Sequence, residues 1–199
     1  KEIIEDVSNR PLNELAHSWL YKPLGMKLTM FNPPGNIKTQ IVPTEIDNIY
    51  RKRLLQGEVH DENAHVLGGV SGHAGIFSTA SDIGKYSQMM LNDGLWIGRR
   101  TFKSKQVKEF TQLHYLPKDS ERTLGWDTPS MNGKSSAGDY FSSSTFGHLG
   151  YTGTSLWIDP ENEIIVVLLT NRVHPTRERG GIYGIRREFH TKVMKTLLN

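Results

Sequence analysis

Apolar residues at the start of the chain recur at helical spacing. Ile3, Ile4 and Val7 share one face of a short helix that Asn9 or Ser8 can stop. Pro11 suits the first turn of a second helix through Leu12, Leu15, Trp19 and Leu20, which Pro23-Leu24-Gly25 breaks. Three prolines and a glycine in residues 31–43 exclude a continuous helix and predict an extended loop. The spacing of Ile46, Ile49 and Tyr50 predicts a short helix. Thr79 and Asp82 have capping-box spacing, and Ile83, Tyr86, Met89, Met90 and Leu91 follow at helical intervals until Gly94. A further helix is expected over Ser104–Thr111 and a short strand over 124–127. The Gly- and Ser-rich stretch 131–147 is read as a flexible connection or a loop bordering a site.

The pattern changes to a β period near the end. TSLWID and EIIVVLLTN flank Pro160-Glu161-Asn162, which predicts an antiparallel hairpin. The second of these runs is almost wholly apolar, so it is expected to be a central strand covered on both faces. Residues 182–198 alternate Ile185, Phe189, Val193, Met194 and Leu197 with basic positions, as an amphipathic helix covering the sheet would. Helices before and after an antiparallel sheet make the fold class α+β, an antiparallel sheet flanked by helices.

Composition narrows the function classes. The 199 residues, 36% of them hydrophobic, can bury a core. A net charge of +3 is too small to suggest a phosphate-binding surface. The basic groups at 51–53, 99–100 and 186–187 are read as solvated faces, and no nucleic-acid partner is expected. No cysteine is present, which excludes disulfides, thiolate metal sites and a Cys nucleophile. No stretch approaches the ~18 apolar residues of a membrane span. The chain opens without Met and with helical spacing from its first residues, so a fragment of a longer polypeptide is expected.

Two segments carry candidate chemistry. In FGHLGYTGTSLWIDP, Gly147, Gly150 and Gly153 recur every third residue before a strand, where absent side chains would let a ligand approach the backbone. His148 is the only His, Lys, Arg or acidic residue between Asp139 and Asp159, and could supply a proton donor or a cation. Spacing alone favours a strand-end histidine bonded to a loop. The glycines do not form a dinucleotide fingerprint, because their spacing differs and a strand follows. In the second segment, residues 57–75, His60, Asp61, Glu62, Asn63, His65 and His73 include atoms suited to zinc. No two of these histidines have i, i+4 spacing, and side chains that hold turns are the favoured reading. No cofactor and no metal are therefore expected. Ser71 sits in Gly69-Val70-Ser71-Gly72, but His73 replaces the last glycine of a nucleophile elbow. Ser-x-x-Lys, Tyr-x-Asn, a Walker loop and His-Glu-x-x-His are all absent.

FGHLGYTGTSLWIDP followed by EIIVVLLTNRVHP, with LGGVSGHAGIFSTASDI and the opening LNELAHSWLYKPLGMKLTMFNPP, resembles the C-terminal half of the serine β-lactamase-like family over nearly all 199 residues. The family includes class C β-lactamases, D-Ala-D-Ala carboxypeptidases and related esterases, and a similar module is attached to bacterial family 3 glycoside hydrolases. The resemblance implies a β-lactamase/penicillin-binding-protein-like fold, of which residues 1–199 would be the C-terminal portion of one domain. It implies a site lined by Ser-x-x-Lys, Tyr-x-Asn and Lys-Thr-Gly or His-Thr-Gly. Only the third motif is matched, by His148-Leu149-Gly150, and the first two would precede Lys1. The resemblance thus assigns His148 to the proton or carboxylate network, Gly150 to the strand along which substrate lies, and the Tyr151 N–H to oxyanion stabilisation. Leu149 departs from the family's Thr, whose hydroxyl meets substrate carboxylates. That favours esterase or amidase activity over β-lactamase or carboxypeptidase activity. The implied partners are a small-molecule or peptide acyl substrate and the upstream part of the same domain, and the implied location is the bacterial periplasm or cell envelope. The alternative is a non-catalytic binding or structural module with this fold.

Overall fold

The computed structural model describes residues 1–113, 120–130, 133 and 135–199. It divides into two compact units, 1–86 with 173–179 and 87–172 with 180–199.

The first unit opens with α1 (Glu2–Ser8), which Asn9 ends in the left-handed conformation (φ 52°). Glu5 accepts the Leu12 N–H at 2.8 Å, fixing the entry to α2 (Leu12–Ala16). The helical run continues through a π-helical turn, His17–Tyr21, into α3 (Lys22–Leu24) and stops at Gly25, φ 67°. Pro23 accounts for the widened turn: it lacks an N–H and its ring crowds the carbonyl of residue i−4. Leu15, Tyr21, Leu24 and Met26 are buried.

β1 (Met30–Phe31) leads into the proline-rich loop, which contains a 3₁₀ turn over Gly35–Gln40 rather than being extended throughout. Residues 46–50 do not form the expected helix. β2 (Ile46–Asp47) pairs with β3 (Arg53–Leu54) because the Asp47 carboxylate accepts the backbone N–H groups of Ile49, Tyr50 and Arg51 at 2.9–3.0 Å. A side chain that captures three successive donors turns the chain before a helix can close. α4 (Glu62–Val66) is N-capped by Asp61, which accepts the Ala64 N–H. β4 (Ile76–Phe77) pairs antiparallel with β1.

α5 (Ala80–Leu91) starts where expected, with Thr79 Oγ1 accepting the Asp82 N–H at 3.2 Å. Only half of the capping box forms. The Asp82 carboxylate instead accepts the Leu28 N–H, the Thr29 hydroxyl and Lys85 Nζ.

In the second unit, β5 (Leu95–Trp96) and β6 (Arg99–Arg100) form a hairpin across Ile97 and Gly98, both at positive φ. α6 (Ser104–Thr111) follows as expected. Residues 124–127 make a tight turn rather than a strand, leaving Asp127 to bridge Gly147 through two backbone hydrogen bonds of 2.8 and 2.9 Å. Within the Gly/Ser-rich segment, residues 131, 132 and 134 lie outside the described residues.

The sheet is antiparallel in the order β7 (Phe146–Leu149), β8 (Ser155–Asp159), β9 (Ile164–Leu168). The hairpin register pairs Asp159 with Ile164. Asp159 holds the turn by accepting the N–H groups of Glu161 and Asn162, the Asn162 side chain and Ser142. β8 is the central strand, not β9. Among the described residues β9 has one neighbour and is only half-buried along most of its length.

α7 (Ile182–Leu197) closes the chain. Its buried stripe is Arg186, His190 and Met194, at i, i+4 and i+8. Ile185 and Leu197, expected on the apolar face, are exposed. The helix turns by one residue because polar atoms of the sheet and its turn bind Arg186 and His190: Ser155 Oγ lies 2.9 Å from His190 Nε2.

Candidate functional site at the end of the strand 146–149

β7 ends at Leu149 and the chain reverses through residues 150–154 into β8. The Gly150 N–H donates to Thr154 O at 2.7 Å and the Gly153 N–H to Gly150 O at 3.0 Å. Gly153 adopts φ 120°, which side chains rarely tolerate. The glycines do not open the margin as expected. A Cβ on Gly147 would overlap the Leu156 carbonyl and the Trp157 indole, and one on Gly150 would meet the Thr154 hydroxyl. Both spaces are filled by the chain's own packing, so these two glycines serve the hairpin.

His148 is exposed on the face opposite Gly147 and Leu149. Its Nδ1 lies 2.9 Å from Leu149 O, and Arg122 Nη2 lies 3.3 Å from its Nε2. Arg can only donate, so in this arrangement Nε2 accepts and the proton sits on Nδ1. Arg122 is held by Asp127 at 2.9 Å, and Asp127 is bridged to β7 beside His148. Leu149 lines a cavity of about 290 Å³ with Trp157, Tyr183 and polar residues of 121–136.

Tyr151 is 60% exposed, and two arginines hold its turn. Arg172 lies over the Tyr151 ring, 4.3 Å from its centroid, and its Nε donates to Tyr151 O at 2.8 Å. Arg186 Nη2 donates to both Gly150 O and Thr154 O at 2.6 Å. The Arg186-Arg187 pair is therefore not one solvated face: Arg186 is 6% exposed, and Arg187 pairs with Asp139. Burial, with the Arg186 charge nearby, pushes the His190 pKa down to about 4, so α7 docks on a neutral imidazole. Arg122, Asp127, Arg172 and Arg186 were not legible as site residues. The one available signal was the placement of Arg172 directly after the apolar strand.

In the first unit the histidines of 57–75 separate. His60 is buried, 2.8 Å from Glu45. His65 packs edge-on to Tyr50, and His73 lies between Ser71 Oγ and Asp61 Oδ1, 2.9 Å from each. Among the described residues no group of three or more His, Cys, Asp or Glu could hold a metal ion. The turn-holding reading fits this geometry. Burial raises the Glu45 pKa, but the Arg177 and His60 hydrogen bonds outweigh it and hold the carboxyl at about 2. Arg177 also binds Glu62 at 2.8 Å. Arg51, expected on a solvated face, is buried against Asp47 and donates to the Val59 and His60 carbonyls. Among the described residues no helix is long and apolar enough to cross a membrane.

Comparison with known proteins agrees with the fold. A protein of Salmonella enteritidis named as a D-alanyl-D-alanine carboxypeptidase is 40% identical over 189 residues, covering 86% of this chain and 43% of that protein. A Salmonella gallinarum protein of the same name is 41% identical over the same shares. The chain thus spans less than half the length of these relatives. Among solved structures, a β-lactamase from Mycobacterium bovis superposes with TM-score 0.67 at 17% identity, over 98% of this chain and 60% of that one. A penicillin-binding protein homologue from Caulobacter crescentus gives 0.60 at 15% identity, over 85% and 49%. These likenesses show a β-lactamase/penicillin-binding-protein-like fold. The beta-lactamase family model matches residues 1–189, and the chain belongs to that family.

Proposed function

We propose that residues 1–199 are the C-terminal portion of one serine-hydrolase domain that transfers acyl groups from ester, amide or β-lactam substrates. The attacking serine, its lysine partner and the tyrosine would be carried by polypeptide preceding Lys1. The observation that supports this most is the turn after β7, where an exposed imidazole, the Gly150–Tyr151 peptide and the peptide after it are each bound by an arginine from a different segment.

In this reading the serine oxygen attacks the substrate carbonyl and its proton passes to the lysine–tyrosine pair. The tetrahedral oxyanion is met by the Tyr151 N–H and by a second N–H beside the serine, a donor whose loss costs about 3–4 kcal/mol. Gly150 forms part of the strand end along which substrate lies. His148 Nε2, an acceptor here, would take a hydroxyl of the serine–tyrosine network in place of the Arg122 N–H. Leu149 offers no hydroxyl and lines a pocket open to solvent, which supports substrates without a carboxylate at that point, esters and amides first.

The test is turnover of p-nitrophenyl esters and nitrocefin by the 199-residue chain and by the native-length polypeptide. The expected result is hydrolysis by the longer form, with esters preferred, and none by residues 1–199. Turnover by the chain alone contradicts the missing nucleophile. Inactivity of both, with no Ser-x-x-Lys upstream, returns the fold to a binding or structural role.

A further inference from the structure

The Gly150–Tyr151 peptide is held by a residue 36 positions away, on the buried face of α7. Arg186 has little contact with water, and its Nη2 reaches Gly150 O and Thr154 O together. Its Nε is buried with no hydrogen-bond partner among the described residues. Among those residues no carboxylate forms an ion pair with it. Burial and, after it, the nearby Arg172 charge both push its pKa down. A guanidinium taken out of water with no anion beside it is costly. An apolar side chain of similar length would fill the same space without that penalty, so packing does not explain the charge.

What the charge reaches does explain it. Gly150 C=O and Tyr151 N–H belong to one planar peptide and point in opposite directions. Fixing the oxygen therefore fixes the direction of the N–H. A cation at the oxygen also polarises the amide and strengthens its N–H as a donor. The Gly153 N–H donates to the same oxygen at 3.0 Å, and Arg172 Nε to Tyr151 O, so the following peptide is held as well.

We infer that Arg186 is a positioning residue for acyl transfer: from the far side of the Gly150–Tyr151 peptide it orients and polarises the N–H that faces the developing oxyanion. The inference rests on the acyl-transfer reading above. Arg186 touches no substrate in this arrangement and acts entirely through the peptide.

The experiment compares Arg186→Met and Arg186→Lys with the wild type in the native-length polypeptide. It uses amide hydrogen exchange at residues 150–154 and steady-state hydrolysis of a p-nitrophenyl ester. Arg186→Met is expected to speed exchange in the turn by about 10-fold or more while α7 and β8 stay protected. It is expected to lower kcat by about 10- to 100-fold with KM within about 2-fold, less than the ~10²–10³ of losing an oxyanion donor outright. Arg186→Lys is expected to recover part of both effects, because one ammonium can donate to two carbonyls. Unchanged turn exchange and kcat in Arg186→Met overturn the inference. So does loss of protection throughout α7 and β8 in both variants, which would make Arg186 a packing residue. A wild-type polypeptide that cleaves no ester, amide or β-lactam overturns the acyl-transfer reading and the catalytic role of Arg186 with it. In that case the exchange result alone decides whether Arg186 orders the peptide.

Discussion

Glu45 shows how a buried acid is kept ionised in this protein. Its carboxylate receives the backbone N–H and the guanidinium of Arg177 and lies against His60, and these hold its pKa at about 2 against an ordinary 4.5. A depressed carboxyl stabilises the fold fully above its unfolded pKa and loses that contribution as pH falls from about 4.5 to 2. Arg177→Met removes the cation and leaves the buried carboxylate without its main partner, at a cost of about 3 kcal/mol near pH 7. Urea unfolding from pH 7 to pH 2 is expected to show this gap between wild type and variant narrowing below pH 4.5, as Glu45 is protonated in both. A gap independent of pH would place the Arg177 contribution in packing alone. Little of this was legible in the sequence. Glu45 and Arg177 are 132 positions apart, and no local pattern joins them. The sequence around His60 is open to a loop-holding reading, because histidines without i, i+4 spacing in a Gly-rich segment have no regular element to aim them at one ion, and the buried His60–Glu45 contact fits that reading.

Elements whose signal is local were read well from the chain, whereas those decided by partners were not. The β8–β9 hairpin, α5 and α6 follow from apolar runs and turn residues within a few positions. Residues 46–50 went the other way because one carboxylate outbid the helix, and α7 presents Arg186 and His190 inward because the sheet offers them oxygens. The docking of α7 is correspondingly sensitive to acid. His190 has a folded pKa near 4 against 6.5 in the unfolded chain, with burial the larger cause and Arg186 the lesser. The unfolded state therefore binds a proton that the folded state refuses, so stability is intact above pH 6.5 and declines as pH falls towards 4, by on the order of 2–3 kcal/mol. His190→Gln keeps a polar group near Ser155 and cannot titrate. Its unfolding free energy is expected to be flatter than that of the wild type between pH 6.5 and 4. Parallel curves for the two proteins would show that His190 does not control this range.

At the scale of the molecule, two surfaces look unfinished for a protein that stands by itself. α1 buries none of its residues: Ile3 is 78% and Val7 85% exposed, and Trp19 in the next helical run is 64% exposed. In the other unit β9, an apolar strand, pairs on one side only among the described residues. Grouped apolar side chains and an unpaired strand edge are surfaces that other chains add to. Relatives at about 40% identity are more than twice the length this chain covers in them, enough polypeptide to cover both. Residues 1–199 produced alone are therefore expected to self-associate at micromolar concentration in sedimentation velocity, whereas the longer polypeptide proposed above is expected to sediment at a mass independent of concentration. Val167→Lys on β9, with Val7→Glu on α1, should reduce association of the short chain by adding charge at each surface. A short chain that stays monomeric and unfolds in one cooperative transition would show that these surfaces need no cover.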